Sequence, residues 1–202
     1  MSAAAGPLEL LRAAERQPVP WKNGGGFTRE VAVSPAGSDL TGFDWRVSIA
    51  EIRTPGPFSL FEGVDRHTAV LAGRLSLVID ARPAITLTPE SDAVAFPGDI
   101  PVAAEPLGAP VTDLNVMTRR SRCAARLTRA CTPQYLLEPQ VNTMLLVALT
   151  EILVVCEGVE RKLASLDALR IGRAPRCTIT APSGPAAFHL IEILGPAARA
   201  AG

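Results

Sequence analysis

Clusters of proline and glycine cut this chain into short pieces. TPGP, TPESD, FPGD, EPLGAP, GRAPR and APSGP recur along 202 residues that hold 18 prolines and 16 glycines. Proline lacks an amide donor and clashes with the preceding helical turn, so long helices find no room between these breaks. What lies between them reads as strand. Phe43, Trp45, Val47 and Ile49 alternate with Asp44, Arg46, Ser48 and Ala50. Leu75, Leu77 and Ile79 alternate with Arg74, Ser76 and Asp80, with Val78 as the exception. A period of two marks a strand with one buried face. Short strands separated by turns predict an all-β sandwich or barrel. With 48% hydrophobic residues the chain can bury a sizeable core.

The pattern occurs twice. At an offset of 76 residues, VLAGRLSLVI (70–79) lies over LVALTEILVV (146–155) and VTDLNVM (111–117) over AFHLIEI (187–193). DAVAF (92–96) meets DALRI with a one-residue slip. Such self-similarity predicts two related β-domains, 1–118 and 119–202, with one continuous sandwich as the alternative. The halves differ in polarity. His67 becomes Thr143, Asn115 becomes Ile191, and Ser48 becomes Ala124. An asparagine buried without partners costs about 1–3 kcal/mol. Asn115 amid Leu114, Val116 and Met117 therefore predicts either a polar cavity in the first half or a solvated strand face.

Several function classes are disfavoured. The 20 basic and 20 acidic residues cancel, so no global field attracts nucleic acid. One local exception is Arg119, Arg120, Arg122, Arg126 and Arg129, a basic segment with only Tyr135 near it for base stacking. A solvated edge or protein interface fits that segment better, and no direct nucleic-acid partner is expected. Cys123, Cys131, Cys156 and Cys177 have no CxxC spacing, and only His67 and His189 accompany them. The cysteines are expected to pack as small hydrophobes, and no metal or other cofactor is expected. No apolar run reaches the length of a membrane span, so a cytoplasmic protein without membrane contact is the default.

WKNGGGFTRE (21–30) places three glycines before a strand. A phosphate loop needs GK[ST] after its glycines, and Lys22 precedes them here. Asn23-Gly24 signals a turn, with Gly25 and Gly26 free to take positive φ. Around it lie the candidate ligand groups. Arg46, if internal, must be paired or bind an anion, with Ser48 two residues along the same face. His67 reads either as a switchable donor or acid–base group, or as a packed histidine. Lys22, Thr28 and Arg29 flank the turn, and Arg29 and Glu30 point to opposite faces of an extended segment. Which face of each strand meets a ligand is left open by the sequence.

The blocks VPWKNGGGFTREVAVSP, FDWRVSIAEI, GPFSLFEGVDRHTAVLAG, FPGD and LNVMTRR occur in that order and resemble the HutD/Ves family over about residues 8–195. The resemblance implies two cupin-like β-barrel or jelly-roll domains in one chain, a bicupin. It also implies a link to bacterial histidine utilisation through a regulator or governor, with a Ves branch connected to environmental stress. Cupins commonly carry HxH, a following Glu and a later His. Here VLAG (70–73) follows GVDRHTA, and FPGD (96–99) leads into no histidine. The expected site is therefore metal-free: Arg46, Ser48, His67 and Asn115, with Lys22, Thr28 and Arg29 at its mouth. It would take a small anionic or zwitterionic metabolite. His67 would be the catalytic group if the protein is an enzyme, acting on a formiminoglutamate- or formylglutamate-like substrate. A homodimer is compatible with this reading.

Overall fold

The structure is a computed structural model that describes residues 8–21, 24–138, 140–172 and 176–195. The described residues form nineteen strands and one short 3-10 turn at Ala13–Glu15, with no α-helix among them. The absence of helix follows from the proline and glycine spacing. The chain divides into two compact units: unit I, Arg16–Ala125, and unit II, built from Met1–Glu15 together with Arg126–Ala200. This division differs from boundaries at 1–118 and 119–202, because the N-terminal residues belong with the C-terminal ones.

Along the chain the strands are β1 (Leu8–Leu11), β2 (Pro18–Pro20), β3 (Gly26–Ser34), β4 (Trp45–Ile52), β5 (Gly56–Pro57), β6 (Val64–Ala72) and β7 (Leu75–Ile79). There follow β8 (Ile85–Leu87), β9 (Val94–Pro97), β10 (Val102–Pro106), β11 (Val111–Arg119), β12 (Ala124–Thr132) and β13 (Gln134–Leu137). The remainder are β14 (Thr143–Ala148), β15 (Ile152–Cys156), β16 (Val159–Leu163), β17 (Ala168–Ile171), β18 (Cys177–Thr180) and β19 (Ala186–Leu194).

In unit I a six-stranded sheet, β2-β3-β4-β11-β6-β9, accompanies a four-stranded sheet, β5-β10-β7-β8. Ile52, Val70 and Val111 from the first meet Leu75, Leu77, Leu87, Val102 and Ala104 from the second in one core. In unit II the sheets are β1-β17-β14-β19-β12 and β13-β18-β15-β16. Leu146, Leu169, Phe188 and Leu190 pack there on Ile152, Val154, Leu163 and Ile179. The order β4-β11-β6-β9 thus returns as β12-β19-β14-β17, and β5-β10-β7-β8 as β13-β18-β15-β16. The faint sequence repeat is a repeat of strand order. The sheets are open, with β2 and β9 as free ends of the larger one, so hydrogen bonding closes no barrel.

Two local expectations change. The alternation around Trp45 reads as a half-buried strand, yet Trp45, Val47 and Ile49 on one face of β4 and Ser48, Ala50 and Ile52 on the other are all buried. Cys156 and Cys177, expected as simple packing residues, face each other across β15 and β18 and form a disulfide. Cys123 and Cys131 stand outside this bond, and the Cys123 thiol donates to Asp44 O at 3.2 Å.

The glycine turn is tight. Trp21 N–H donates to Gly26 O at 2.9 Å and Gly24 N–H to Trp21 O at 3.0 Å. The positive φ falls at Gly24, at 71°, and not at Gly25 or Gly26. Gly26 is required for another reason: a Cβ there would overlap the backbone carbonyl oxygen of Glu51. Lys22 and Asn23 lie outside the described residues.

β1 pairs with β17 and is pinned by Asp167. That buried carboxylate accepts from Arg12 Nη1 at 2.7 Å, Ala13 N at 2.8 Å and Ala164 N at 3.1 Å. Burial pushes its pKa up, but the donors from Ala13, Arg12 and Ala164 outweigh burial and hold it below the usual value.

Gly26→Ala is expected to destabilise the fold by about 1–3 kcal/mol, because backbone opposes the added methyl. Thermal melting against wild type checks this. Asp167→Ala is expected to cost about 2–3 kcal/mol and to release β1 first. Hydrogen exchange should show Leu8–Leu11 amides losing protection before those of Thr143–Ala148.

A polar row inside unit I as candidate functional site

Strand register assembles the site. Arg46 on β4 lies opposite Met117 on β11, which lies opposite Arg66 on β6, which lies opposite Phe96 on β9. The next row reads Glu30, Ser48, Asn115, Thr68 and Val94 from β3 to β9. One row further come Thr28, Ala50, Asp113 and Val70. Directly opposed residues share a face. These three rows therefore share the sheet face that carries Ile52, Val70 and Val111 into the core of unit I.

The centre of the arrangement is a buried relay. Arg66 Nη2 donates to Asn115 Oδ1 at 2.7 Å, Thr68 Oγ1 donates to the same oxygen at 3.2 Å, and Asn115 Nδ2 donates to Asp113 Oδ2 at 2.8 Å. Arg66 Nη1 reaches Ser59 O at 3.4 Å. Three rings surround its guanidinium, with centroids 4.6 Å (Phe58), 5.4 Å (Phe96) and 5.9 Å (Phe61) from Cζ. Two buried atoms have no partner: Arg66 Nε and Asp113 Oδ1. Burial lowers the Arg66 pKa to about 10, against the supporting charge of Asp113 and with the opposing charge of Arg46. Burial raises Asp113 to about 6, against the Asn115 hydrogen bond and the Arg66 charge.

Arg46 stands nearer the surface, its side chain 15% exposed. Its Nε donates to Glu30 Oε2 at 2.9 Å and its Nη1 to Ser48 Oγ at 3.4 Å. Arg46, Ser48 and Asn115 are thus brought together as the sequence predicts. Thr28 shares their face, but its hydroxyl accepts from Trp21 Nε1 at 2.8 Å and braces the turn. Arg29 points to the other face, over the Phe27 ring at 4.3 Å, so Glu30 is the member of that pair that reaches the site. His67 also departs. It lies opposite Val116 and Ala95, on the face turned away from Asn115, because β6 places Arg66 and Thr68 inward. Its Nδ1 is buried without a partner, and burial lowers its pKa against the charge of Asp65.

Arg66, Thr68 and Asp113 were missed by sequence reasoning. Their signal is the spacing itself: RxT in DRHT and DxN in VTDLN place polar groups two apart on one strand face. A resident metal ion does not fit this donor set. Two guanidiniums share the row, the lone imidazole of the region faces away, and no group of three His, Cys, Asp or Glu gathers among the described residues. The basic segment is absorbed by the fold. Arg119 donates to Phe43 O and Thr41 O, Arg120 pairs with Asp65 and Asp99, and Arg126 pairs with Glu192.

Unit II keeps only part of this polarity, the Arg126–Glu192 pair. Met144 stands where Thr68 does and pairs with Glu192, which therefore matches Asn115 more closely than Ile191 does. Leu146 pairs with Leu190 where Val70 pairs with Asp113. His189 is fully buried opposite Val147, and neither ring nitrogen has a partner. Burial, with the charge of Arg129 adding to it, lowers its pKa to about 4.

An all-β, cupin-like sandwich with a cationic polar row buried on an inner sheet face defines the class. The fold is shared with oxalate decarboxylase from Bacillus subtilis, at 10% identity and a TM-score of 0.64 over 95% of this chain and 77% of that one. The HutD family profile matches residues 13–187, and the chain belongs to that family. HutD from Pseudomonas fluorescens SBW25 is 30% identical over 93% of this chain and all of its own, with a TM-score of 0.79. A 21.2 kDa protein encoded in the hutC 3′ region of Pseudomonas putida is 44% identical over 59% of this chain and 63% of its own. Protein Ves of Citrobacter koseri is 40% identical over 53% and 56%. The chain thus spans less than two thirds of these two curated relatives. Among the described residues no helix is long and apolar enough to cross a membrane.

Asp113 and His189 make opposite contributions to pH dependence. The folded carboxyl of Asp113 titrates above its unfolded value, so its share of stability falls as pH rises from about 4 to about 6. The folded imidazole of His189 titrates below its unfolded value, so its share rises as pH rises from about 4 to about 6.5. Each amounts to about 3 kcal/mol at most. Urea midpoints across this window are expected to fall with rising pH in His189→Leu and to rise in Asp113→Asn, while wild type stays flatter than either.

Proposed function

We propose that this chain binds a small carboxylate metabolite without a metal and acts as a regulator or governor of histidine utilisation. The observation that carries the reading is the row Arg46, Met117, Arg66, with Ser48, Asn115 and Asp113 beside it. Two guanidiniums on one inner face attract an anion, and Arg46 offers a forked donor set suited to a carboxylate. Glu30 holds only one side of that fork. The unpartnered Asp113 oxygen lies on the same face, and an N–H group of a zwitterionic or amide-bearing ligand would satisfy it. Formiminoglutamate and formylglutamate have this chemistry, and the family's naming beside a histidine-utilisation gene region supports testing them. We read the two units as paired cupin-like domains, with Met144 and Leu190 in unit II replacing Thr68 and Asp113, and Glu192 replacing Asn115.

The enzymatic alternative loses support from the placement of His67, which faces away from the row. We assign the protein to the cytoplasm, with a small metabolite as its partner and a homodimer compatible with the fold. The Cys156–Cys177 bond is the one feature that runs against a reducing compartment. A Ves-like stress role remains the competing biological setting for the same binding site.

Calorimetric titration with formiminoglutamate, formylglutamate, urocanate and glutamate tests this reading. Saturable binding of one of the first two is expected, weakened by at least about tenfold in Arg46→Ala. Equal affinity in the variant removes Arg46 from the site. Absence of heat from all four removes the metabolite assignment, and a new product on incubation turns the reading toward catalysis.

A further inference from the structure

The two units part ways along one side of the sandwich. In unit II, β1 lies beyond β17, with Leu8 opposite Ile171 and Leu10 opposite Leu169, and both leucines pack on the core. Val94 faces Thr68 in unit I as Ile171 faces Met144 in unit II. Among the described residues no strand lies beyond β9, the edge that carries Val94. A pocket of about 220 Å³ opens at that edge, where unit II is filled by leucine.

Its walls are apolar. Leu77 and Ile79 of β7, Ile85 of β8, Val94 and Phe96 of β9, and Ile100 line it. One charged residue, Arg82, joins them. Arg82 is exposed and has no ion-pair partner among the described residues. The turn that carries it is tight: Asp80 and Ala81 have φ of 48° and 56°, and Arg82 N–H donates to Ile79 O at 3.0 Å. The cation is therefore fixed at its base on the rim of an apolar cleft. The volume falls below the range of about 300–1,000 Å³ usual for drug-sized ligands, so the occupant is small.

We infer that this pocket binds a small amphipathic carboxylate, its aliphatic or aromatic body against Val94, Phe96 and Ile79 and its anionic head on Arg82. The body takes the place that Leu8 and Leu10 occupy in unit II, and the head satisfies a guanidinium that the fold leaves unpaired. Neutral and cationic amphiphiles lack the second contact. The site is separate from the Arg46 row, although Phe96 borders both, and it stands whether or not that row binds a metabolite.

Octanoate titrated into full-length protein carrying 13C-labelled isoleucine methyl groups tests the inference. Saturable shifts are expected at Ile79, Ile85 and Ile100, with Ile152 and Ile193 unmoved. Arg82→Gln, its fold checked by an unchanged amide spectrum, is expected to raise Kd by about tenfold. 1-Octanol is expected to bind more weakly than octanoate. Unmoved methyl groups at all three isoleucines overturn the site. Equal octanoate affinity in wild type and Arg82→Gln, or equal affinity for octanol, overturns the anionic head.

Discussion

A carboxylate and a guanidinium buried on one sheet face, joined by one asparagine, set the terms for the rest of unit I. Neither charge is tolerated alone in such surroundings. Asn115 resolves this because an amide donates at one end and accepts at the other, so it answers Asp113 and Arg66 together. Thr68 adds a second donor to the same oxygen, and three phenylalanine rings shield the guanidinium without competing for its hydrogens. The relay demands its strand register, because a slip of one residue in β11 would turn Asn115 and Asp113 away from Arg66 and Thr68. The same few contacts thus fix the register and hold the candidate site together.

The two units repeat one strand order, but only unit I carries the buried relay. Both units keep the strand order and the facing sheets. In unit II methionine and leucine stand where Thr68 and Asp113 do, and Glu192 stands where Asn115 does. Leaving a polar site out is the easier solution, since apolar side chains need no partners. Unit I accepts the cost of desolvating charges, and two unpartnered buried atoms of the relay, Arg66 Nε and Asp113 Oδ1, mark where that accommodation is incomplete.

The strand content, the repeat and the polar first half were legible because each rests on local pattern: proline breaks, period-two alternation and an offset. Arg46 and Ser48 stood out by the same alternation, and Asn115 by its apolar neighbours together with the family resemblance. What remained hidden was parity between strands. Sequence says that Arg66 and His67 face opposite ways, but only pairing with Met117 and Val116 decides which one enters the core. The lone histidine drew attention by its chemistry, whereas the arginine beside it looked like a surface charge. Gly26 was hidden similarly, because its demand comes from Glu51 on a neighbouring strand. The cysteine bond required two strands to be placed side by side.

The assignment of β1 to unit II has a consequence for how the chain is made. Synthesis proceeds from the N-terminus, and Leu8–Leu11 emerge long before Ala168–Ile171 exist to pair with them. Unit I can assemble from contiguous sequence, while its predecessor segment waits unpaired with two leucines uncovered. Unit II then closes only after Ala168–Ile171 have been made, through contacts such as Arg12 to Asp167 that span 155 residues. Such long-range pairing is slow to form. Unit I can therefore be complete while the β1–β17 pairing of unit II is still to form.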